Sequence, residues 1–271
     1  MTGPGPNGGG PRRPRVARVG EVVRTSSVTP HMIRVVLGGK GLAGFPAGEF
    51  PDHSVKLLFP DRSPDPERPV TRTYTVRAWD AAAGELTLDV VWHGDEGLAG
   101  PWAAAARPGD RISFFGPGGG YAPSPDADWH LLAGDESALP AIGAALDRLP
   151  AGARALAFVE VSGPEEEQAE LDGRDGVELV WLHRGDAAPG EALVAAVRAA
   201  TLPEGTGHLF VHGEAGAVRE LRRHLRETHG LPRELTSVSG YWRRGDTEDR
   251  WQATKREWNA AIAEEEASVA T

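Results

Sequence analysis

The pattern of apolar residues changes near residue 125, and this change constrains the fold more than any other feature. From about 15 to 120, short β-branched runs are separated by Pro, Gly and Asp. After about 128, apolar runs of strand length alternate with segments of helical period. One regular architecture does not produce both patterns. We therefore predict two domains, which a length of 271 residues also favours.

The first part predicts a small antiparallel β-barrel, because several short strands follow one another with turn residues between them. One short helix, "WAAAA" at 102–106, is expected inside it. The predicted strands lie in "RVGEVVRTSSVTPHMIRVVLGG", "HSVKLLFP", "TRTYTVRAWD", "GELTLDVVWHG" and "ARPGDRISFFGPGGG". We expect a disordered Gly/Pro tail over 1–13 and the barrel domain over 14–122.

The second part predicts a doubly wound α/β domain over 126–245, with a parallel sheet. Five apolar runs, beginning with "WHLLAG" and ending with "LTSVSGYWRRG", alternate with three helical segments. Ser137 is a candidate N-cap for the first of these helices. The Gly/Pro-rich stretch "GPGGGYAPSPDAD" links the two domains. The whole chain is thus expected to be an α+β protein of two domains.

A final helix is predicted within 246–271, with Asp246 or Thr247 as its cap. Four residues at helical spacing share one face: Trp251, Lys255, Trp258 and Ile262. We interpret the tryptophans as an apolar stripe that docks on the core. A lysine on this face is less usual and indicates the border of a pocket.

The composition excludes several classes of protein. The chain has no cysteine, which rules out disulfides and iron–sulfur clusters held by thiolates, so redox chemistry would need an organic cofactor or a metal site without thiolates. A net charge of −10 argues against general nucleic-acid binding. No apolar run approaches the roughly 20 residues that cross a bilayer, and the N-terminal tail lacks the apolar segment of a signal peptide. We expect a cytoplasmic protein without membrane insertion.

The stretch "RTYTVR" at 72–77 is the first candidate site. On a strand, Arg72 and Tyr74 point to one face and Thr75 to the other. A flavin dinucleotide needs a cation for its phosphates and an aromatic or hydroxyl group beside its ring, which Arg and Tyr supply. The same spacing also occurs on solvent-exposed strands, so the motif leaves both interpretations open.

A second candidate, "WHGDEGLAGPWA", joins a strand to a glycine-rich turn and a short helix that begins at Pro101 or Trp102. Backbone N–H groups at Gly100 and Pro101 would suit a phosphate, although an ordinary turn fits as well. His93 taken alone is more often a hydrogen-bonded structural residue than a base.

The third candidate is "LLAGDESALPAI", where a strand, a glycine turn and a helix start stand at the expected place for a dinucleotide. The G-x-G-x-x-G fingerprint is absent, and Asp135 and Glu136 would repel a phosphate. Glu160 ends the next strand, about 25 residues after Gly134, near the spacing at which a carboxylate binds a ribose hydroxyl. This weakly favours NADH over NADPH.

Taken together, these stretches resemble the siderophore-interacting protein family, whose members are FAD-dependent ferric-siderophore reductases. The resemblance covers about 14 to 260. It is carried by "RTYTVR", "HGDEGLAGPWAAAARPGD", "GPGGGY", "GDESALPAI", "GYWRRG" and "TEDRWQATKREW". It implies a ferredoxin-reductase-like fold with a flavin barrel and an NAD(P)H domain. The wider superfamily often has a cysteine near the nicotinamide, and this chain has none.

The resemblance also implies roles for residues. Those at the FAD ribityl, phosphate and ring would be Arg72, Tyr74 and Thr75, with Val76 beside them. Those supporting the flavin and its pyrophosphate would be His93, Ala99, Gly100 and Pro101. Those at the nicotinamide side would be Gly134, Asp135, Glu136, Ser137 and Ala138.

The substrate implied is a ferric siderophore, in which oxygen ligands hold Fe(III) far more tightly than Fe(II). Many are anionic, so basic residues are candidates to bind them: Lys56, Arg243, Arg244 and Lys255. If the strand continues through them, Arg243 and Arg244 point to opposite faces and at most one faces the site. The electron donor would be NADH or NADPH, with ferredoxin as a possible variant. The resemblance suggests a monomer.

Two alternatives stay open. One is an NAD(P)H:flavin reductase, which would release reduced flavin instead of holding it. The other is a non-enzymatic siderophore-binding protein without flavin, which an intact Arg72, Tyr74 and Thr75 disfavours.

Overall fold

A computed structural model of the chain describes residues 16–46, 50–65, 68–230 and 233–269. The predicted tail over 1–13 lies outside these ranges. Within them, an antiparallel barrel is followed by a parallel α/β sheet. The two fold classes predicted from the sequence are therefore confirmed, in the predicted order.

Six antiparallel strands of the described residues close into the barrel, in the order β1-β2-β5-β4-β3-β6. Their interior is filled by aliphatic and aromatic side chains such as Leu37, Leu57 and Phe114, all fully buried. The strands are β1 Arg18–Thr29, β2 Met32–Gly38, β3 Ser54–Phe59, β4 Val70–Asp80, β5 Glu85–Val91 and β6 Arg111–Gly118.

Helix α1, Ala99–Ala105, lies between β5 and β6. It begins two or three residues before the predicted start at Pro101 or Trp102, directly after a turn in which Gly97 has a φ of +77°. Gly100 packs closely against β5, since a Cβ at this position would lie 3.3 Å from the carbonyl oxygen of Val91. The early start therefore buries the glycine turn against the barrel.

The second domain is a five-stranded parallel sheet in the order β11-β10-β7-β8-β9. Its apolar faces are covered on both sides. The order reverses between β7 and β10, which creates a crevice at their carboxyl ends. The elements are β7 Trp129–Asp135, α2 Leu139–Leu146, β8 Arg154–Val161, β9 Val177–His183, α3 Glu191–Ala199, β10 Gly207–Glu214, α4 Ala215–His229 and β11 Thr236–Trp242.

The N-cap prediction for Ser137 is wrong. Helix α2 begins at Leu139, and the cap position is Ala138, which has no side-chain hydrogen bond. The Ser137 hydroxyl instead donates to Asp135 Oδ1 at 2.5 Å. A strong acceptor two residues earlier in the chain therefore draws the serine away from the helix.

Helix α5, Glu248–Val269, carries the predicted stripe. Trp251 and Ile262 are buried, and the Lys255 ammonium lies 5.9 Å from the Trp251 ring centroid. Thr247 is the cap, because its hydroxyl oxygen accepts a hydrogen bond from the Arg250 amide at 3.3 Å. Among the described residues, no helix is both long and apolar enough to span a membrane.

A network of ion pairs joins the two domains. Arg34 binds Asp89 within the barrel by two hydrogen bonds of 2.7 Å, and it also reaches Glu170 of the second domain at 2.7 Å. Arg77 binds Asp147, just after α2, at 2.5 Å. The guanidinium of Arg77 is only 10% exposed, and Asp89 is fully buried. Arg77, which the sequence left without a role, therefore ties the domains together.

Candidate functional site

Strand β4 presents the first group of candidates as its alternation predicts. The register with β3 pairs Arg72 with Leu57 and Tyr74 with Val55, so Arg72 and Tyr74 lie on one side of the strand. Burial is the main cause that raises the pKa of the Tyr74 hydroxyl above its usual range, with the nearby Glu248 carboxylate adding to it. Val76 packs into the barrel core.

Arg72 makes a two-bond ion pair with Asp249 in the first turn of α5. Its Nη1 and Nη2 donate to the two carboxylate oxygens at 2.9 and 3.1 Å. The Arg72 side chain is 15% exposed, whereas that of Asp249 is 66% exposed. The guanidinium of β4 therefore binds an oxyanion, with the planar geometry that suits a phosphate equally well.

Thr75 is buried on the other side of β4 and meets the second domain there. It forms a side-chain hydrogen bond with Tyr241 of β11, whose hydroxyl pKa is raised above the usual range chiefly by burial. The Tyr241 ring stands edge-on to His212 at 4.9 Å between centroids. Tyr241 belongs to "GYWRRG", and no role was predicted for it. The sequence feature that could have identified Tyr241 is an aromatic residue near the end of the last predicted strand.

The α1 region holds the second group of candidates. Ala99 and Gly100 are buried against the barrel, and Pro101 is the third residue of the helix and not the first as predicted. His93 lies at the domain boundary, where burial, followed by the charges of His31 and Arg184, lowers its pKa. A neutral imidazole is thus available between the two domains.

Asp135 organises the crevice between β7 and β10. One carboxylate oxygen accepts from the Ser137 amide and hydroxyl, and the other accepts from the Glu214 amide and the Trp242 indole, each at 2.8 Å. Gly134 must be glycine, since a Cβ would lie 2.6 Å from both Ala138 Cβ and a backbone carbonyl oxygen. The acidic turn is therefore a structural hub that fixes three strand ends.

Glu160 is fully buried, and its carboxylate caps α3 by accepting from the amides of Gly190 at 2.7 Å and Leu193 at 2.9 Å. The predicted ribose contact stays a prediction, and each Glu160 oxygen already accepts one hydrogen bond at the start of α3. The spacing correctly located a carboxylate near the strand end, but backbone amides at the start of α3 donate hydrogen bonds to it.

Lys56 and Lys255 come together at the junction of barrel and α5. Burial is the main cause that lowers the pKa of Lys255, with the charge of Lys56 adding to it and Glu248 opposing it. Glu248 in turn has a raised pKa, chiefly through burial. Lys255, which is partly desolvated, therefore lies within electrostatic reach of Lys56 from a distant part of the chain.

Arg243 and Arg244 do not lie on a strand, because β11 ends at Trp242. The expectation that at most one of them faces a site assumed a continuing strand and does not apply, and both line one pocket of about 250 Å³ at the β11–α5 turn. Arg250 lines it as well, and Asp246 lies 3.1 Å from its Nε. The four predicted basic residues thus divide into a lysine pair and an arginine pocket.

Two further residues were missed. Asp52 accepts from the amides of Gly120 and Tyr121, both at 2.9 Å, and so fixes the linker to the barrel. Glu214 caps α4 through the Ala217 amide and also accepts from the Arg244 amide. Glu214 could have been identified from the sequence as a carboxylate at the end of an apolar strand.

Comparison with known families follows the same division. Residues 127–245 match the family described as siderophore-interacting protein, and residues 21–67 and 61–121 match the siderophore-interacting FAD-binding domain. The chain belongs to the siderophore-interacting protein family. This family was the one that the sequence motifs indicated.

Among its relatives, the ferric vibriobactin reductase ViuB of Vibrio cholerae is 33% identical over 251 residues, covering 86% of this chain and 92% of ViuB. The NADPH-dependent ferric-chelate reductase of Escherichia coli is 30% identical over 241 residues, covering 82% and 91%. The solved siderophore-interacting protein SipS of Aeromonas hydrophila superposes with a TM-score of 0.79 at 32% identity, covering 90% and 98%.

The fold also recurs outside the family. The ferredoxin reductase in carbazole 1,9a-dioxygenase has a TM-score of 0.66 at 20% identity, covering 85% of this chain and 70% of that one. This likeness confirms the ferredoxin-reductase-like fold of the siderophore-interacting protein.

Proposed function

We propose that this protein is an FAD-dependent reductase that passes electrons from NAD(P)H through bound flavin to the Fe(III) of a siderophore, releasing Fe(II) in the cytoplasm. The observation that carries the proposal is a group of cations where α5 meets the barrel: Arg72 pairs with Asp249 in the first turn of α5, and the charge of Lys56 acts on Lys255 of the same helix. Cations at this junction suit both an anionic cofactor and an anionic substrate.

The residues around β4 fit a flavin dinucleotide. The Arg72 guanidinium already binds a carboxylate through two nitrogens, and a phosphate offers the same pair of oxygens. Thr75 supplies a hydroxyl and Tyr74 an aromatic ring on the two sides of the same strand. Arg72 would hold phosphate, Tyr74 would flank the ring, and Thr75 would donate or accept a hydrogen bond at its edge.

The chemistry needs a group that links two-electron and one-electron transfer. NAD(P)H gives hydride, whereas each Fe(III) accepts one electron, so one NAD(P)H reduces two ferric ions. FAD, when bound, supplies the conversion from two-electron to one-electron transfer. The residues of the chain then have to position the partners, and Asp135 does so by fixing the ends of β7, β10 and β11.

The basic residues supply substrate recognition in this proposal. Lys56 and Lys255 would attract an anionic ferric complex to the junction, and Arg243 and Arg244 would add to the positive field from the neighbouring turn. Such attraction suits a chain whose net charge is −10, since that overall charge repels anions. The names of ViuB and of the E. coli relative, both ferric reductases, support this substrate class.

The decisive experiment is a spectrum of the purified protein, followed by addition of NADH or NADPH and a ferric siderophore with an Fe(II) chelator. We expect flavin absorbance that bleaches with the nucleotide and returns as Fe(II) forms. Absence of both changes would overturn the proposal. Release of free reduced flavin would indicate a flavin reductase, and failure to take up FAD would indicate a binding protein. Reduced ferredoxin in place of the nucleotide tests the other donor.

A further inference from the structure

Arg184 lies at the carboxyl edge of the parallel sheet, and no role was predicted for it. It follows β9 directly, and its amide donates to the carbonyl oxygen of Val161 at the end of β8 at 3.0 Å. Glu136 follows β7, and Glu160 lies near the end of β8. One guanidinium and two carboxylates therefore stand at the ends of three neighbouring strands.

Arg184 faces both carboxylates through a single nitrogen. Its Nη1 is 2.7 Å from Glu136 Oε1 and 3.8 Å from Glu160 Oε1. Despite the short separation from Glu136, Nη1 makes no hydrogen bond of good angle within the described part of the chain. The contact pairs the two charges, and loss of the Glu136 charge would free the guanidinium for an oxyanion.

The two carboxylates differ in their freedom to respond. Both oxygens of Glu160 are bound by the first amides of α3, so its position is fixed. Glu136 makes its closest charged contact with Arg184, and its side chain is 16% exposed. Burial raises its pKa, and Arg184 opposes that shift. Glu136 is therefore the group whose removal would change the charge that Arg184 presents to a ligand.

This edge is where a doubly wound sheet receives a dinucleotide. The adenosine ribose lies at the end of the second strand of the sheet, where a carboxylate favours the 2′-hydroxyl and an arginine accommodates a 2′-phosphate. The second strand in chain order is β8. A guanidinium outnumbered by two carboxylates gives this place a net negative charge, which repels a 2′-phosphate.

We propose that Glu136 and Arg184 set the choice between NADH and NADPH. Glu136 engages the guanidinium and keeps it from a 2′-phosphate, so the unphosphorylated dinucleotide is preferred. This assignment rests on the proposed function, in which a nicotinamide dinucleotide is the donor. It places Glu136 at the adenosine end of the dinucleotide and not at the nicotinamide side, which the family resemblance implied, and it leaves Glu160 as the cap of α3.

The test compares two nucleotide fragments that differ only in the 2′-phosphate, 5′-AMP and 2′,5′-ADP, by calorimetric titration of the flavin-loaded protein. Glu136→Gln keeps the shape of the side chain and removes its charge. We expect it to raise the affinity for 2′,5′-ADP about tenfold and to leave that for 5′-AMP unchanged. Adding Arg184→Met to Glu136→Gln should abolish the gain.

Glu220→Gln is the matched control, because Glu220 pairs with Arg198 at the same 2.7 Å distance but between α3 and α4, away from the strand ends. It should change neither affinity. The ratio of kcat/KM for NADPH to that for NADH should rise with Glu136→Gln and not with Glu220→Gln. Equal changes for both fragments, or none for 2′,5′-ADP, would overturn the proposal.

The outcome separates this inference from the proposed function. In one outcome, NADH and NADPH both bleach the flavin while Glu136→Gln leaves the ratio of their kcat/KM values unchanged. The assignment of Glu136 and Arg184 is then wrong, but the proposed reductase activity is still supported. If neither fragment binds and neither nucleotide bleaches the flavin, the dinucleotide donor itself is wrong. Flavin uptake, measured by absorbance, then still tests whether the protein binds FAD.

Discussion

Arg72 of the barrel and Asp249 of helix α5 bind each other through two hydrogen bonds, at 2.9 and 3.1 Å. The pair is unequal, because the arginine side chain is mostly enclosed and the aspartate is mostly exposed. An enclosed guanidinium requires an anion, whereas an exposed carboxylate is readily solvated. A phosphate could therefore replace Asp249 and leave no charge buried without a partner.

Arg72→Ala should weaken FAD binding by about 10- to 100-fold, since it removes charge-assisted bonds to the phosphate. The measurement is a fluorescence titration of FAD into the flavin-free variant. Arg243→Ala, which removes an exposed arginine from the β11–α5 turn, is the control and should bind FAD as the unaltered protein does. Unchanged affinity in Arg72→Ala would mean that the phosphate is held elsewhere.

Asp249→Asn should have the opposite effect and raise FAD affinity about two- to fivefold, because the carboxylate competes with the phosphate for Arg72. Glu257→Gln, on an exposed part of the same helix, removes one negative charge at a distance and controls for the general change in field. A weaker affinity in Asp249→Asn would show instead that the ion pair is needed to shape the site.

Lys56→Ala and Lys255→Ala should each raise the KM for an anionic ferric siderophore several-fold and leave bound FAD unchanged. The physical reason is the loss of a cation from a partly desolvated place, where charges act more strongly than in water. Steady-state kinetics at low and high salt would check this, since added salt should reduce the difference. Lys40→Ala, on the exposed surface of the barrel, should have no such effect.

The fold was predictable because periodicity reports burial directly. The alternation in "TRTYTVRAWD" placed Arg72 and Tyr74 on one side of β4, as the register confirms. The helical spacing of Trp251 and Ile262 likewise predicted a buried face of α5. In both cases the pattern of each segment matched its packing, so local reasoning was sufficient.

The site was less predictable because its partners are distant in the sequence. Asp249 lies 177 residues from Arg72, and no local pattern connects them. Glu160 had the spacing of a ribose ligand, but its oxygens bind α3, which begins about 30 residues later. Ser137 is a residue type that often caps helices, but its hydroxyl donates to Asp135 instead. In each case another partner takes the side chain: for Arg72 and Glu160 it comes from a distant part of the chain, and for Ser137 it lies two residues away.

Arg77→Met should destabilise the protein by about 3 kcal/mol, because it removes a mostly enclosed cation from beside the fully buried Asp89 and breaks the pair with the partly exposed Asp147. Asp147 loses its 2.5 Å bond, and the fully buried Asp89 loses a second positive neighbour. Arg198→Met breaks an exposed pair and should cost less than about 1 kcal/mol. Urea unfolding of both variants checks this, and equal losses would contradict a role for Arg77 at the domain boundary.

Acid should destabilise the protein through its buried histidines. Burial lowers the pKa of His130 to about 4 and is the main cause that lowers that of His212 to about 3, from an ordinary value of 6.5. Below pH 6.5 the unfolded chain therefore binds protons that the folded protein does not. The stability present above pH 6.5 is lost as the pH falls toward the folded-state values.

His130 offers the cleanest test, because it is fully buried and neither of its ring nitrogens has a hydrogen-bond partner among the residues that the structure describes. His130→Leu should be nearly neutral at pH 7.5 and should retain about 2 kcal/mol more of its stability than the unaltered protein at pH 5. His229→Leu, at the exposed end of α4, controls for the loss of a histidine. Urea unfolding at the two pH values measures the difference. An equal loss of stability on acidification in His130→Leu and in the unaltered protein would show that His130 does not contribute to the acid sensitivity.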